Sequence, residues 1–177
     1  MKNAIILTVI ALTIITYACK PTNESEDRGM KNNKTKVASL KEKYPALSEM
    51  LDIKLKEAEK LYEEAGKISN EEEKIKKKKE ANDIFNTPFM RDLSAIEPKM
   101  EDLEDAVKDM IKKKYEKSDL KKVEKARDDS YDLISEIKQI LTKGGSEDEL
   151  KEILRKKTTE LISMKGKVGR ITKEALK

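Results

Sequence analysis

An all-α fold is what this chain predicts, and three observations carry that prediction. Charged residues make up 42% of the 177 residues and aromatic ones only 4%, with no Trp and no His, which suits long solvated helices rather than a sheet. Apolar residues recur every three or four positions from Leu47 onward, which lines them up on one helical face. Ser69-Asn70-Glu71-Glu72 and Ser146-Glu147-Asp148-Glu149 both have the capping-box pattern, in which a hydroxyl and a carboxylate satisfy the free backbone donors of a helix start.

The first segment has a different character. Met1-Lys2-Asn3 gives a short positive start, and Ala4 to Tyr17 is uncharged and mostly apolar, the pattern of an export signal over residues 1–18. The run is shorter than the roughly 20 apolar residues that cross a bilayer, so it predicts cleavage rather than a span. Cys19 is the only cysteine, which excludes an intramolecular disulfide; placed directly after the small Ala18 and before a polar stretch, it is the candidate lipid-attachment residue. Residues 19–44 are almost devoid of apolar side chains, which predicts a lipidated flexible tether. A coil of about 25 residues reaches roughly 25–30 Å, enough to lift a domain off a membrane surface.

The helical domain is expected over residues 45–177. Leu47, Leu51, Leu55, Ala58, Leu61, Tyr62 and Ala65 form a first stripe, with Ser48 as its start and Gly66 as its stop. The helix opened by Ser69 should carry Ile75 and Ile84 and end at Asn86-Thr87-Pro88, because proline disfavours helical geometry in the residue before it. Leu93 and Ile96 suggest a short helical turn leading to Pro98 at a first helical position. Met100, Leu103, Val107, Met110 and Ile111 make the next stripe. Ser118 is a candidate cap for the helix bearing Leu120, Val123, Ala126, Ser130, Ile134, Ile137 and Leu141, which Lys143-Gly144-Gly145 ends. Leu150, Ile153, Leu154, Leu161 and Ile162 form the last stripe, and Gly166 and Gly169 should weaken its end. Short connections between such stripes predict an antiparallel bundle of four main helices with a short extra helical turn, preceded by the disordered tether.

Several chemistries find no residues here. Without His and with a single cysteine, the chain lacks the common nucleophile and base pair, a thiolate site and an imidazole metal ligand. It has no glycine-rich phosphate loop, and Glu147-Asp148-Glu149 lacks the spacing of a calcium loop. The expectation is a protein that is not an enzyme and uses no cofactor, metal or small-molecule substrate. The 39 basic residues stand against 35 acidic ones, a mixed surface with few aromatics to stack on bases, so nucleic acid is not an expected partner. Lys76 to Lys79, and Lys112-Lys113-Lys114 with Lys117, Lys121 and Lys122, are either solvated faces or contact surfaces for a polyanion. Successive helical residues point about 100° apart, so a run of lysines spreads around a helix instead of forming one patch.

The signal, Cys19, the polar stretch after it and the Lys/Glu/Ile-rich helical body together resemble Borrelia outer-surface lipoproteins. Ala18-Cys19 matches the end of the family's lipobox, while Thr16 and Tyr17 depart from its usual Leu and small residue. The overall run of the sequence is most similar to the factor H-binding protein A group of relapsing-fever Borrelia. That resemblance implies a surface-exposed lipoprotein of the cell outer membrane, acylated at Cys19, that recruits the host complement regulator factor H and binds plasminogen. An adhesin for extracellular matrix or glycosaminoglycan, and a purely structural surface lipoprotein, are the other classes that fit the same features. Chain geometry at Phe85 to Pro98 and at the Ser118 connection is best placed to present Phe89, Met90, Arg91 and Tyr115 to a partner, with Phe89 in the core as the alternative. Lys177 carries both an ammonium and the terminal carboxylate, the pair that a kringle module captures, and is the candidate plasminogen ligand.

Overall fold

In a computed structural model the described residues are 21–175, and they contain six α-helices and no strand. The helices are α1 (Asn23–Lys43), α2 (Ser48–Gly66), α3 (Glu71–Asp83), α4 (Pro88–Ile111), α5 (Leu120–Lys143) and α6 (Glu147–Lys173), with a 3-10 turn at Pro45–Leu47 between α1 and α2. The all-α class holds, but the arrangement differs from the expected four main helices: two groups of three helices meet near the 3-10 turn.

The group formed by α4, α5 and α6 holds most of the core. Ion pairs between Lys138 and Glu104, Lys157 and Glu136, and Lys167 and Asp129 set α5 antiparallel to both neighbours, while Lys165 pairs with Asp102 at 2.6 Å along parallel α4 and α6. Between them lie Leu103, Val107 and Met110 of α4, Ala126, Ile137 and Leu141 of α5, and Leu150, Leu154 and Val168 of α6, all buried. The expected capping box at Ser146 is present: its hydroxyl accepts from the Glu149 amide, and Glu149 accepts from the Ser146 amide at 2.8 Å. The start of α3 shifts by one residue, to Asn70, whose side chain accepts from the amides of Glu72 and Glu73. Gly144 ends α5 at φ +69°, where a side chain is strained, and a Cβ there would lie 2.8 Å from that of Ala46.

Two expectations are corrected. Pro98 does not start a helix: α4 runs unbroken from Pro88 to Ile111 with Pro98 inside it, capped by the Thr87 hydroxyl accepting from the Met90 amide. Phe89, Leu93, Ile96, Met100 and Leu103 stay on one buried face through the proline, and that burial outweighs a lost backbone hydrogen bond, a cost of about 3 kcal/mol. Ser118 caps nothing; Asp119 precedes α5 without a side-chain cap. Gly166 and Gly169 lie within α6, which continues to Lys173 with Val168 and Ile171 buried near its end.

The largest correction concerns residues 19–44. Instead of a flexible tether, Asn23–Lys43 is a 21-residue helix begun by a capping box of Thr22 and Ser25. Its apolar stripe is thin, consisting of Met30, Val37 and Leu40 with Tyr44 after it, and much of its docking is polar. Buried Asn82 on α3 donates to the Glu26 carbonyl at 2.9 Å and to the Glu26 carboxylate at 2.7 Å, and accepts from Asn33 at 3.0 Å. Gly29 allows this closeness, since a Cβ there would stand 3.0 Å from the Asn82 amide nitrogen. Buried Lys78 pairs with Asp27 at 2.6 Å, its ammonium 5.1 Å from the centre of the Tyr62 ring, while the Tyr62 hydroxyl donates to the same carboxylate. The N-terminal end of α1 is thereby fastened to α2 and α3.

This polar seam makes α1 sensitive to acid. The hydrogen bond from Lys78, and then that from Tyr62, holds the Asp27 carboxyl below its ordinary range. Its folded pKa lies below its unfolded one, so the stabilisation is present above the ordinary Asp value near 4 and is lost as pH falls through the folded value. The protection of the α1 amides against hydrogen exchange, taken relative to the intrinsic exchange rate at each pH, should fall on acidification through that window. An Asp27→Asn variant should show weaker α1 protection at neutral pH and a smaller pH dependence; an unchanged pH dependence would remove Asp27 from this role.

Candidate functional site

The sequence singles out two regions, and the structure treats their residues differently. Phe89 is 1% exposed and Met90 3%, so neither projects from the surface as an anchor for a protein partner. Both lie on the inward face of the continuous α4, where the Thr87 cap fixes the rotation of the first turn. Arg91, next along, points outward and is exposed. Tyr115 is half-buried and its hydroxyl donates to the Met110 carbonyl at 3.1 Å, which folds the α4–α5 connection back onto the end of α4. Burial raises the pKa of its phenol, which keeps it a donor. Cys19 and Lys177 lie outside the described residues.

What the connection does expose is its apolar flanks. Ile111 at the end of α4 is 47% exposed and Leu120 at the start of α5 is 45% exposed. The sequence places both on buried stripes. They fall at the last and first positions of those stripes, but end position alone does not mark exposure, since Leu141 and Leu150 hold such positions and are buried. Around them Lys113, Lys114, Lys117 and Lys121 are exposed and form no ion pair among the described residues. Lys112 only approaches Asp109 at 3.9 Å, whereas Lys122 is engaged by Asp119 and Glu174. The other lysine run is dispersed as expected: Lys77 is drawn to Glu64 and Glu80, and Lys78 is buried against Asp27.

This basic and apolar end is far from the start of α1. Lys43 and Tyr44, at the end of α1, bond to Glu97 in the middle of α4. Residues 23 to 43 extend about 30 Å in one direction from that level, and residues 97 to 111 of α4 about 20 Å toward the connection, at a helical rise of about 1.5 Å per residue.

The second region forms a cleft. Between α1 and α4 lies a hollow of 240 Å³ with Val37, Phe85 and Met90 as its apolar lining and Lys36, Arg91 and Ser94 among its polar residues. Larger hollows elsewhere carry both signs of charge: one of 610 Å³ along α4 and α5 has Glu104 with Lys138, and one of 620 Å³ where α2 meets α6 has Glu147 beside Lys54. Among the described residues no helix is long and apolar enough to cross a membrane, and no group of acidic, His or Cys side chains is arranged to hold a metal ion.

No family model, curated protein or solved structure matches this chain.

Proposed function

We propose that this chain is a lipoprotein anchored through Cys19 to the surface of the cell outer membrane, and that it binds host factor H, with plasminogen as a second ligand. The observation that supports a binding role most directly is the α4–α5 connection, where Ile111 and Leu120 are exposed among lysines without ion-pair partners. A protein interface of about 800 Å² per partner draws most of its energy from a few buried apolar or aromatic anchors with a polar rim. Ile111 and Leu120 have the character of such anchors and the lysines that of the rim. With α1 beginning at Asn23, an anchor at Cys19 leaves only a few residues between lipid and helix, so the domain stands on the membrane by its α1–α3 end. The α4–α5 connection then faces outward.

The test is a pull-down from host serum with the chain from Lys20 onward, comparing it with an Ile111→Ser, Leu120→Ser double variant. Both residues are surface positions, so stability should change by about 0.5 kcal/mol or less at each. Factor H recovery should fall about tenfold or more, the loss of roughly 1.4 kcal/mol or more of binding energy. Equal recovery by the two proteins would overturn the assignment of this end.

The unpaired lysines favour one other reading, an adhesin for a sulfated glycosaminoglycan. Binding of that kind depends on charge and falls steeply as salt screens it. Retention on immobilised heparin that disappears with moderate salt, and that survives the double variant, would select the adhesin over the regulator binder.

A further inference from the structure

We propose that the cleft between α1 and α4 binds a carboxylate carried on a short apolar body, with Arg91 and Lys36 holding the charge and Val37, Phe85 and Met90 holding the body. The site is separate from the α4–α5 connection and does not rest on the function assigned to it.

The lining has the composition of a small-ligand site, an apolar floor with a few polar groups that set orientation. Val37 of α1, Met90 of α4 and Phe85 in the connection before α4 are all buried members of one core cluster, so the floor is held in place by the core. The only ionisable side chains lining the hollow are Lys36 and Arg91, and both are cations. No carboxylate lines it, unlike the hollow where Glu147 stands beside Lys54. Among the described residues neither Arg91 nor Lys36 has an ion-pair or side-chain hydrogen-bond partner. Arg91 can therefore offer its planar fork to a carboxylate in a bidentate arrangement, which a lysine cannot reproduce. Asn33 has its amide nitrogen committed to Asn82, so its position at the cleft is held by the α1–α3 seam.

The size narrows the ligand. At 240 Å³ the hollow is smaller than the roughly 300–1,000 Å³ typical of sites for drug-sized molecules, so it admits one branched or aromatic group beside its charge. A free small acid and the C-terminal apolar residue of a peptide share this chemistry.

Three probes separate the possibilities: 4-methylpentanoate, an acetylated tripeptide ending in a leucine with a free carboxylate, and the same tripeptide as its C-terminal amide. Each is titrated to millimolar concentration into the chain from Lys20 onward, following methyl resonances of Val37 and Met90 and the side-chain signal of Arg91. Saturable shifts at these residues with either acid and not with the amide are the expected result. Shifts with the peptide alone identify a chain terminus as the ligand, and shifts with the free acid alone identify a small metabolite. Arg91→Gln, at an exposed position, should leave the helical spectrum unchanged and weaken binding about tenfold or more, with a smaller loss for Lys36→Gln. No saturable shift with either acid, equal binding of the amide, or undiminished binding by both variants would overturn the proposal.

Discussion

Phe89→Ala is expected to lower the free energy of unfolding by about 3–5 kcal/mol, the cost of removing a large buried ring and leaving a cavity behind it. Phe89 is 1% exposed and lies in one core cluster with Met90 and Leu93 of its own helix and with Val37 and Leu40 of α1. Its loss should be felt at the joint between the two helical groups, since the first turns of α4 lie there. Urea denaturation followed by circular dichroism checks this directly. A variant with the native midpoint would return Phe89 to the surface and restore it as a partner anchor, whereas a lowered midpoint leaves that part to residues such as Ile111. Ile111→Ser, tested alongside, should leave the midpoint nearly in place.

The second large effect concerns the start of the folded unit. The sequence predicts that a chain beginning near Thr35 is strongly helical and unfolds in one cooperative transition, because a tether contributes no core. The structure adds a stability cost to that truncation. Removal of residues 21–34 takes away Met30, which is 4% exposed, the Asp27 partner of Lys78 and the Glu26 and Asn33 partners of Asn82. Burying a Met side chain is worth about 1.5–3 kcal/mol, and the uncovered apolar surface of α3 adds to it, so a loss of about 3–5 kcal/mol is expected. Against the roughly 5–15 kcal/mol that holds a domain together, this is a large share. The measurement is the unfolding midpoint of the chain from Thr35 against that from Lys20, with hydrogen exchange of α3 as a second readout. Equal midpoints and equal α3 protection would show that α1 is docked without contributing to stability.

The sequence by itself determined the all-α class, because amphipathic stripes and caps act within a few residues of chain. Leu103, Val107 and Met110, or Ile134, Ile137 and Leu141, repeat at helical spacing and are buried as that spacing requires. The Ser146–Glu149 cap and the stop at Gly144 are equally local, settled by backbone donors and by φ. The spreading of Lys76 to Lys79 around α3 also follows from helical geometry alone. Of the candidate site, the sequence singled out two regions without settling which residues they expose: Arg91 is at the surface, Phe89 takes its core alternative, Met90 is buried, and Ile111 and Leu120, which read as core, are exposed.

Those points depend on how the helices pack, and the reason is the same in each. Whether an apolar residue at the end of a stripe is buried depends on whether a neighbouring helix extends that far. Ile111 and Leu120 are exposed where α4 ends and α5 begins, while Phe89 is buried in the core at the start of α4. Proline at position 98 breaks no helix because the packing on the opposite face continues through it. The helix over residues 23–43 shows the limit most clearly. Its side chains are polar enough to read as solvated coil, yet Glu26, Asp27 and Asn33 find buried partners in Lys78 and Asn82, some fifty residues away. Polar groups that would favour disorder in isolation hold a helix in place when each is matched across an interface, and that matching is a property of the folded arrangement, not of the local sequence.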